Sequence, residues 1–344
     1  MDKTKVQTLS ESAKKGGKKD LHYLDKLAQL GKLNDSKPLE PSESHKKYLK
    51  KARKKAIGYA MATELLKVES SPLLKSYKST LFCSGILLQE GNSIRTKQCK
   101  QRWCNVCNGI RTADLINGYM PPLKQLGKLY MVTLTIRSVT AKDLKDTIST
   151  MGKKVRTIQH DRLRKVHGFT LTGIRKIECN YNASKDTYNP HIHFVIHADK
   201  ACQLLLLKAE WLNAFPDDTE ADAQDIRPAD DDSLHELFKY ATKPLTKGEF
   251  SAHAQDIIYT AFRGKRLIQN MGGLKKHKTD VERSPSDEID FQPATNEIEI
   301  WGYEYQHKDW VTSKGAKFTG YRPDQKTKEL LRIIEQPKNV SKRF

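Results

Sequence analysis

Residues 190–197 read Pro-His-Ile-His-Phe-Val-Ile-His, and the fold class turns on how this octapeptide is read. Its alternation is that of a β-strand, where residues two apart share a face. Ile192, Phe194 and Ile196 then turn toward a core, while His191, His193, Val195 and His197 turn the other way. Upstream, GFTLTGIRKIECNYN (168–182) reads as a second strand, joined to the first through the polar turn NASKDTYN (182–189). A turn centred on Ser184–Lys185 sets position 178 opposite position 191, which brings Glu178 beside His191. Two imidazoles and a carboxylate on one face can hold Mn²⁺ or Mg²⁺ and leave positions open for a phosphate. His197, one step further along the strand, competes as third ligand, and a plain surface-facing histidine strand is the alternative.

Outward from this hairpin, MVTLTIRS (131–138) alternates like a strand. Residues 141–163 carry helical spacing at Leu144, Ile148, Met151, Val155 and Ile158, and CQLLLLKAEWLNAF (202–215) is a further helix. Ser233–Tyr240 opens another, with Ser233 as N-cap and Glu236 at capping-box spacing. Leu234, Leu237, Phe238 and Ala241 supply its buried face, and Pro244 ends it. Glu236, Tyr240 and Lys243 fall on one face at i, i+4 and i+7. A phenol, an ammonium and a carboxylate so placed suit attack on phosphorus. Tyrosine is the nucleophile, lysine steadies phosphate charge and glutamate takes a proton from water. The fold class expected is α+β: a central antiparallel sheet with helices packed on it, plus a cysteine-rich segment and basic and acidic tails.

Four of the six cysteines, Cys83, Cys99, Cys104 and Cys107, lie within 25 residues, a spacing that can supply four thiolates to a structural Zn²⁺. Cys179 and Cys202 read as small hydrophobes. The chain has 61 Lys+Arg against 41 Asp+Glu, a net charge of +20, which favours a polyanionic partner, nucleic acid first. Residues 1–55 hold 16 Lys/Arg against 7 Asp/Glu and read as a basic, disordered or weakly helical arm. A helical and cysteine-rich segment (56–111), a catalytic region (112–280) and a linker with C-terminal extension (281–344) follow. Arg102, Arg111, Lys239, Lys247, Arg263, Lys265 and Arg266 are the candidate phosphate contacts. No apolar run approaches the roughly 20 residues of a membrane span, and the N-terminus lacks a secretory apolar region, so a cytoplasmic, non-membrane protein is expected.

In chain order, Cys83 with CKQRWCNVC (99–107), Val132-Thr133-Leu134-Thr135, NPHIHFVIH (189–197), the E-x3-Y-x2-K helix and TAFRGKRLIQNMGG (260–273) resemble the HUH endonucleases. More closely, they resemble the replication initiators of small Gram-positive rolling-circle plasmids, the Rep class 1 type, over roughly residues 80–275. Asn105 stands where that family often has Pro, and Gly109-Ile110-Arg111 replaces its aromatic-Arg-Arg. The resemblance implies origin-specific nicking of single-stranded or hairpin-extruded DNA, with a metal held by His191, His193 and Glu178. It also implies attack by Tyr240, a 5′-phosphotyrosine and a 3′-OH primer, with a host helicase and DNA polymerase as partners. An HUH transposase or mobilisation relaxase is the alternative enzyme, and a zinc-dependent DNA-binding regulator the alternative without catalysis.

Overall fold

Asn182 sets the hairpin register. Its Oδ1 accepts from Ser184 N (3.1 Å), Ser184 Oγ (2.7 Å) and Lys185 N (3.3 Å), a side-chain turn that Asn favours. Strands β4 (Thr172–Asn182) and β5 (Thr187–His197) therefore pair with Asn182 opposite Thr187 and Glu178 opposite His191. On its other side β5 pairs with β3 (Leu129–Thr135), with Thr133 opposite His193 and Thr135 opposite His191. Strands β6 (Asp225–Pro228) and β7 (Ile268–Met271) complete an antiparallel sheet of order β6-β3-β5-β4-β7. At the base of β4, a Cβ on Gly173 would run into the Val195 carbonyl, so only glycine lets the strands approach there.

The molecule, a computed structural model, is described over residues 43–91, 93–238, 250–277 and 298–336. One face of the sheet presents Val132, Leu134, Ile177, Ile192, Phe194 and Ile196 to the main core. Helix α4 (Leu144–Thr157) covers it with Leu144, Ile148, Met151 and Val155, α5 (Ala201–Ala214) with Leu204, Leu207 and Trp211, and α7 (Ala252–Phe262) with Ile258 and Phe262. Each such side chain stabilises by about 1.5–3 kcal/mol on burial. Trp211 also donates Nε1–H to Thr135 O (3.0 Å), which pins the end of β3. Past Thr157 the α4 helix widens into a π-helical stretch, Ile158–Val166, rather than ending at 163.

Helices cover the second face too. Leu129, Met131, Ile174 and Val195 pack against Leu234, Leu237 and Phe238 of α6 (Asp231–Phe238) and Leu123 of α3 (Asn105–Gln125). The N-cap of α6 is Asp230, not Ser233. Asp230 Oδ1 accepts from Ser233 N (2.7 Å) and Ser233 Oγ (2.6 Å), which puts Ser233 inside the first turn. The acidic block before the helix thus supplies a carboxylate where the helix dipole favours one.

The chain divides into two units. The sheet above belongs to the larger, which comprises Arg53–Cys83, Cys99–Arg283 and Pro323–Phe344. The smaller comprises Met1–Ala52, Ser84–Gln98 and Ser284–Arg322. Its antiparallel sheet, order β2-β1-β8-β9, uses β1 (Ile86–Glu90), β2 (Ser93–Arg95), β8 (Glu299–Glu304) and β9 (Asp309–Val311). Leu87, Trp301, Trp310 and Phe318 form its core with Ala52. The stretch 281–304, which reads as a linker, therefore ends in a strand, and 281–297 lie outside the described residues. Of the basic arm, 1–42 also lie outside them, while Glu43–Leu65 form helix α1. Among the described residues no helix is long and apolar enough to cross a membrane.

Candidate metal centres

On the second sheet face the apolar cover stops halfway along the strands. Beyond Val195, Ile174 and Met131 the same face carries His193 and His191 on β5, Lys176 and Glu178 on β4, and Thr133 on β3. Period-2 alternation alone puts them together. Glu178 Oε2 lies 3.6 Å from His191 Nε2 and 3.7 Å from His193 Nε2. The ligand atoms of the three residues all lie within 4.8 Å of one another.

Both rings are oriented from behind. Asn189 O sits 3.1 Å from His191 Nδ1, and a carbonyl can only accept, so Nδ1 carries a proton and Nε2 is the atom turned to Glu178. Thr133 Oγ1 lies 3.0 Å from His193 Nδ1 and holds that ring with its other nitrogen toward Glu178. Asn189 is itself held by donation to Ile136 O (3.1 Å). Burial works to raise the Glu178 carboxyl, but the His191 and His193 side chains and the Lys176 ammonium overcome it and hold the group well below the carboxylate range. Two imidazoles and an ionised carboxylate, each with its outer partner in place, fit a divalent cation. His197 is not among them: its Nε2 turns to Asp199 Oδ1 at 3.3 Å, away from the Glu178 cluster.

Lys176, which no sequence motif singles out, joins them. It is 1% exposed, ion-paired with Glu178 Oε1, and its Nζ lies 3.3 Å from Glu236 O near the end of α6. Its position two residues before Glu178 on a strand was the available signal. Glu236 is half-buried on α6, whose described part ends at Phe238. Tyr240, Lys243, Lys239 and Lys247 lie outside the described residues.

The four cysteines gather at the start of α3. Cys107 Sγ lies 3.5 Å from Cys83 Sγ and 3.7 Å from Cys99 Sγ, and all four sulfurs fall within 4.8 Å of one another. A Zn–S bond of about 2.3 Å implies a tetrahedral S···S edge of about 3.8 Å. A disulfide needs about 2.05 Å, and all four cysteines are free. Cys99 N–H donates to Cys83 Sγ (3.3 Å), the outer contact that a thiolate ligand takes. Burial lowers the Lys55 ammonium to about 8, while the four cysteines, Cys83 first, act to raise it. A buried cation beside four convergent sulfurs fits a tetrathiolate site, whose net charge with Zn²⁺ would be negative.

Arg102 Nη1 donates to Phe262 O (3.3 Å) and to Lys265 O, stapling the cysteine segment to the loop after α7. Arg111 donates to Lys100 O, and Lys265 Nζ to Ser149 Oγ (2.5 Å). Arg263 and Arg266 are exposed.

Residues 92–314 match the family model described as Replication protein. A Protein rep of Staphylococcus aureus is 28% identical over 178 residues, covering 47% of this chain and 76% of that protein. A Protein rep of Streptococcus pneumoniae serotype 2 (strain D39 / NCTC 7466) is 24% identical over 265 residues, covering 66% of this chain and 80% of that one. No solved structure matches significantly. The family match spans the Glu178–His191–His193 face, α6 and three of the four clustered cysteines.

Proposed function

The chain belongs to the replication protein family, and on that premise we propose that it initiates rolling-circle replication of a plasmid by nicking one DNA strand at the origin. The observation that carries this reading is the convergence of Glu178 Oε2, His191 Nε2 and His193 Nε2 on one sheet face. A divalent cation bound by that set, Mn²⁺ or Mg²⁺, would supply Lewis-acid polarisation of a scissile phosphate.

The remaining roles fall to the chain's own side chains. Tyr240 Oη attacks phosphorus, and the bond to the upstream 3′-oxygen breaks. The downstream 5′-phosphate stays on tyrosine, and the departing 3′-oxygen takes a proton to become a free 3′-OH. Lys243 steadies charge on the phosphoryl oxygens, and Glu236 removes a proton from water when the regenerated origin is cut. A side-chain nucleophile does not reach the scissile phosphate of a stacked duplex, so the substrate is single-stranded or extruded from a hairpin. Exposed Arg263 and Arg266 meet backbone phosphates, joined by Lys239 and Lys247 and by the half-buried Arg102, Arg111 and Lys265. The four-cysteine site holds zinc as scaffold. The host's helicase and polymerase use the nicked product in the cytoplasm.

The test is covalent capture. Wild-type protein with Mn²⁺ and single-stranded origin DNA gives a DNA adduct that survives denaturing electrophoresis. Tyr240→Phe abolishes it, and Glu236→Ala keeps nicking but loses hydrolytic release. An undiminished adduct in Tyr240→Phe rules out the nucleophile assignment.

A further inference from the structure

Strand alternation puts Lys176 on the metal-binding face, where it is the one buried cation among the described residues. Long cationic side chains are almost never fully buried unless paired. Its partner, Glu178, is only 4% exposed. The contacts are divided: Lys176 takes Oε1 of Glu178, whereas Oε2 is the oxygen that both histidine Nε2 atoms approach, at 3.6 and 3.7 Å. The same ammonium reaches Glu236 O at 3.3 Å, close to where α6 leads toward Tyr240. One side chain thus touches both the third ligand and the helix that precedes the nucleophile.

We propose that Lys176 is a positioning residue: it commits one oxygen of Glu178, presents the other alone to the divalent cation, and ties the carbonyl end of α6 to the metal face. This deepens the nicking reading and rests on it. Its first consequence is geometric. With Oε1 occupied, Glu178 binds as a single-oxygen ligand, and coordination positions stay open for phosphate. A second consequence is electrostatic. Lysine and glutamate cancel, so the loaded site keeps the ion's full charge toward a phosphate. Lysine also repels the cation, so its role is not to tighten metal binding. The third is mechanical: the tether sets the distance between the metal face and α6, and small displacements of reacting groups cost large factors in rate.

The experiment compares wild type, Lys176→Met and Lys176→Gln, where glutamine can still donate to the carboxylate without charge. Mn²⁺ affinity is read by electron paramagnetic resonance on DNA-free full-length protein, and kcat and KM on single-stranded origin DNA at saturating Mn²⁺. Far-UV circular dichroism establishes that each variant is folded. Lys176→Met should bind Mn²⁺ at least as tightly as wild type while kcat falls tenfold or more and KM changes less than threefold. Lys176→Gln should recover part of kcat. Weakening of Mn²⁺ binding by more than threefold, or a kcat within threefold of wild type, would overturn the proposal. Should Lys176→Met fail to fold, the same two criteria apply to Lys176→Gln. Wild-type protein that forms no adduct overturns the nicking reading itself, which is a different result from a normal wild type beside an unaffected variant.

Discussion

Replacing Cys107 by Ser should remove zinc from the protein altogether rather than weaken it by degrees. Cys107 is the sulfur whose neighbours are most closely defined, 3.5 Å from Cys83 and 3.7 Å from Cys99, near the roughly 3.8 Å edge of a ZnS₄ tetrahedron. It lies in the first turn of α3, while Cys83 and Cys99 come from segments before that helix. A structural zinc contributes on the order of 10–16 kcal/mol at neutral pH, comparable with the whole ~5–15 kcal/mol stability of a typical domain. Losing one of four thiolates therefore loosens the cysteine segment and the start of α3 together. Metal content by mass spectrometry should fall from about one zinc per chain to nearly none. Thiol labelling gives a second readout. Exposed Cys202 should react at once in both proteins, and buried Cys179 in neither. Cys83, Cys99 and Cys104 should react in the variant but resist in wild type until a chelator is added. Unchanged zinc content in Cys107→Ser, or ready labelling of the cluster in untreated wild type, would refute the assignment.

Asp230→Ala removes the side chain that caps α6 and should cost about 1 kcal/mol, read as a lower midpoint in urea with an unchanged slope. Ser233→Ala should cost less, because Ser233 N still finds the Asp230 carboxylate. The double variant Arg263→Ala/Arg266→Ala should weaken single-stranded DNA binding at every sequence tested. It should also flatten the plot of log affinity against log salt by about 1.4, at ~0.7 per phosphate contact. An unaltered slope would mean these exposed guanidiniums meet no phosphate.

Much of the candidate metal face was legible because strand alternation and a short turn leave little freedom. Once Ser184–Lys185 is the turn centre, Glu178 must face His191, and the observed register is that one. Harder to read was what covers the histidine face. Val195 alone of that β5 set is apolar, and nothing local tells whether it meets a helix or solvent. The long-range partners Leu234, Leu237 and Phe238 decide it. The burial of Lys176 is not legible in the sequence, because a lysine on a strand ordinarily points to water and only its pairing with Glu178 makes burial tolerable. The smaller sheet was invisible for a different reason. Its β1 pairs with β8, Leu87 opposite Trp301, across a separation that short-range periodicity does not sense. The cap of α6 was misplaced by three residues because Asp230 and Ser233 are both good caps, and the choice depends on where the helical backbone begins.

The most direct test of the account is to identify the amino acid joined to DNA. Wild-type protein is reacted with single-stranded origin DNA and Mn²⁺, digested with nuclease and protease, and the nucleotide-bearing peptide sequenced by mass spectrometry. The account predicts a nucleotide 5′-phosphate on Tyr240, and no such peptide from His193→Ala protein. Modification at Tyr181, which donates to Asp186 (2.9 Å), or at buried Tyr188 or Tyr259, would contradict it, as would an adduct that forms equally without the histidine.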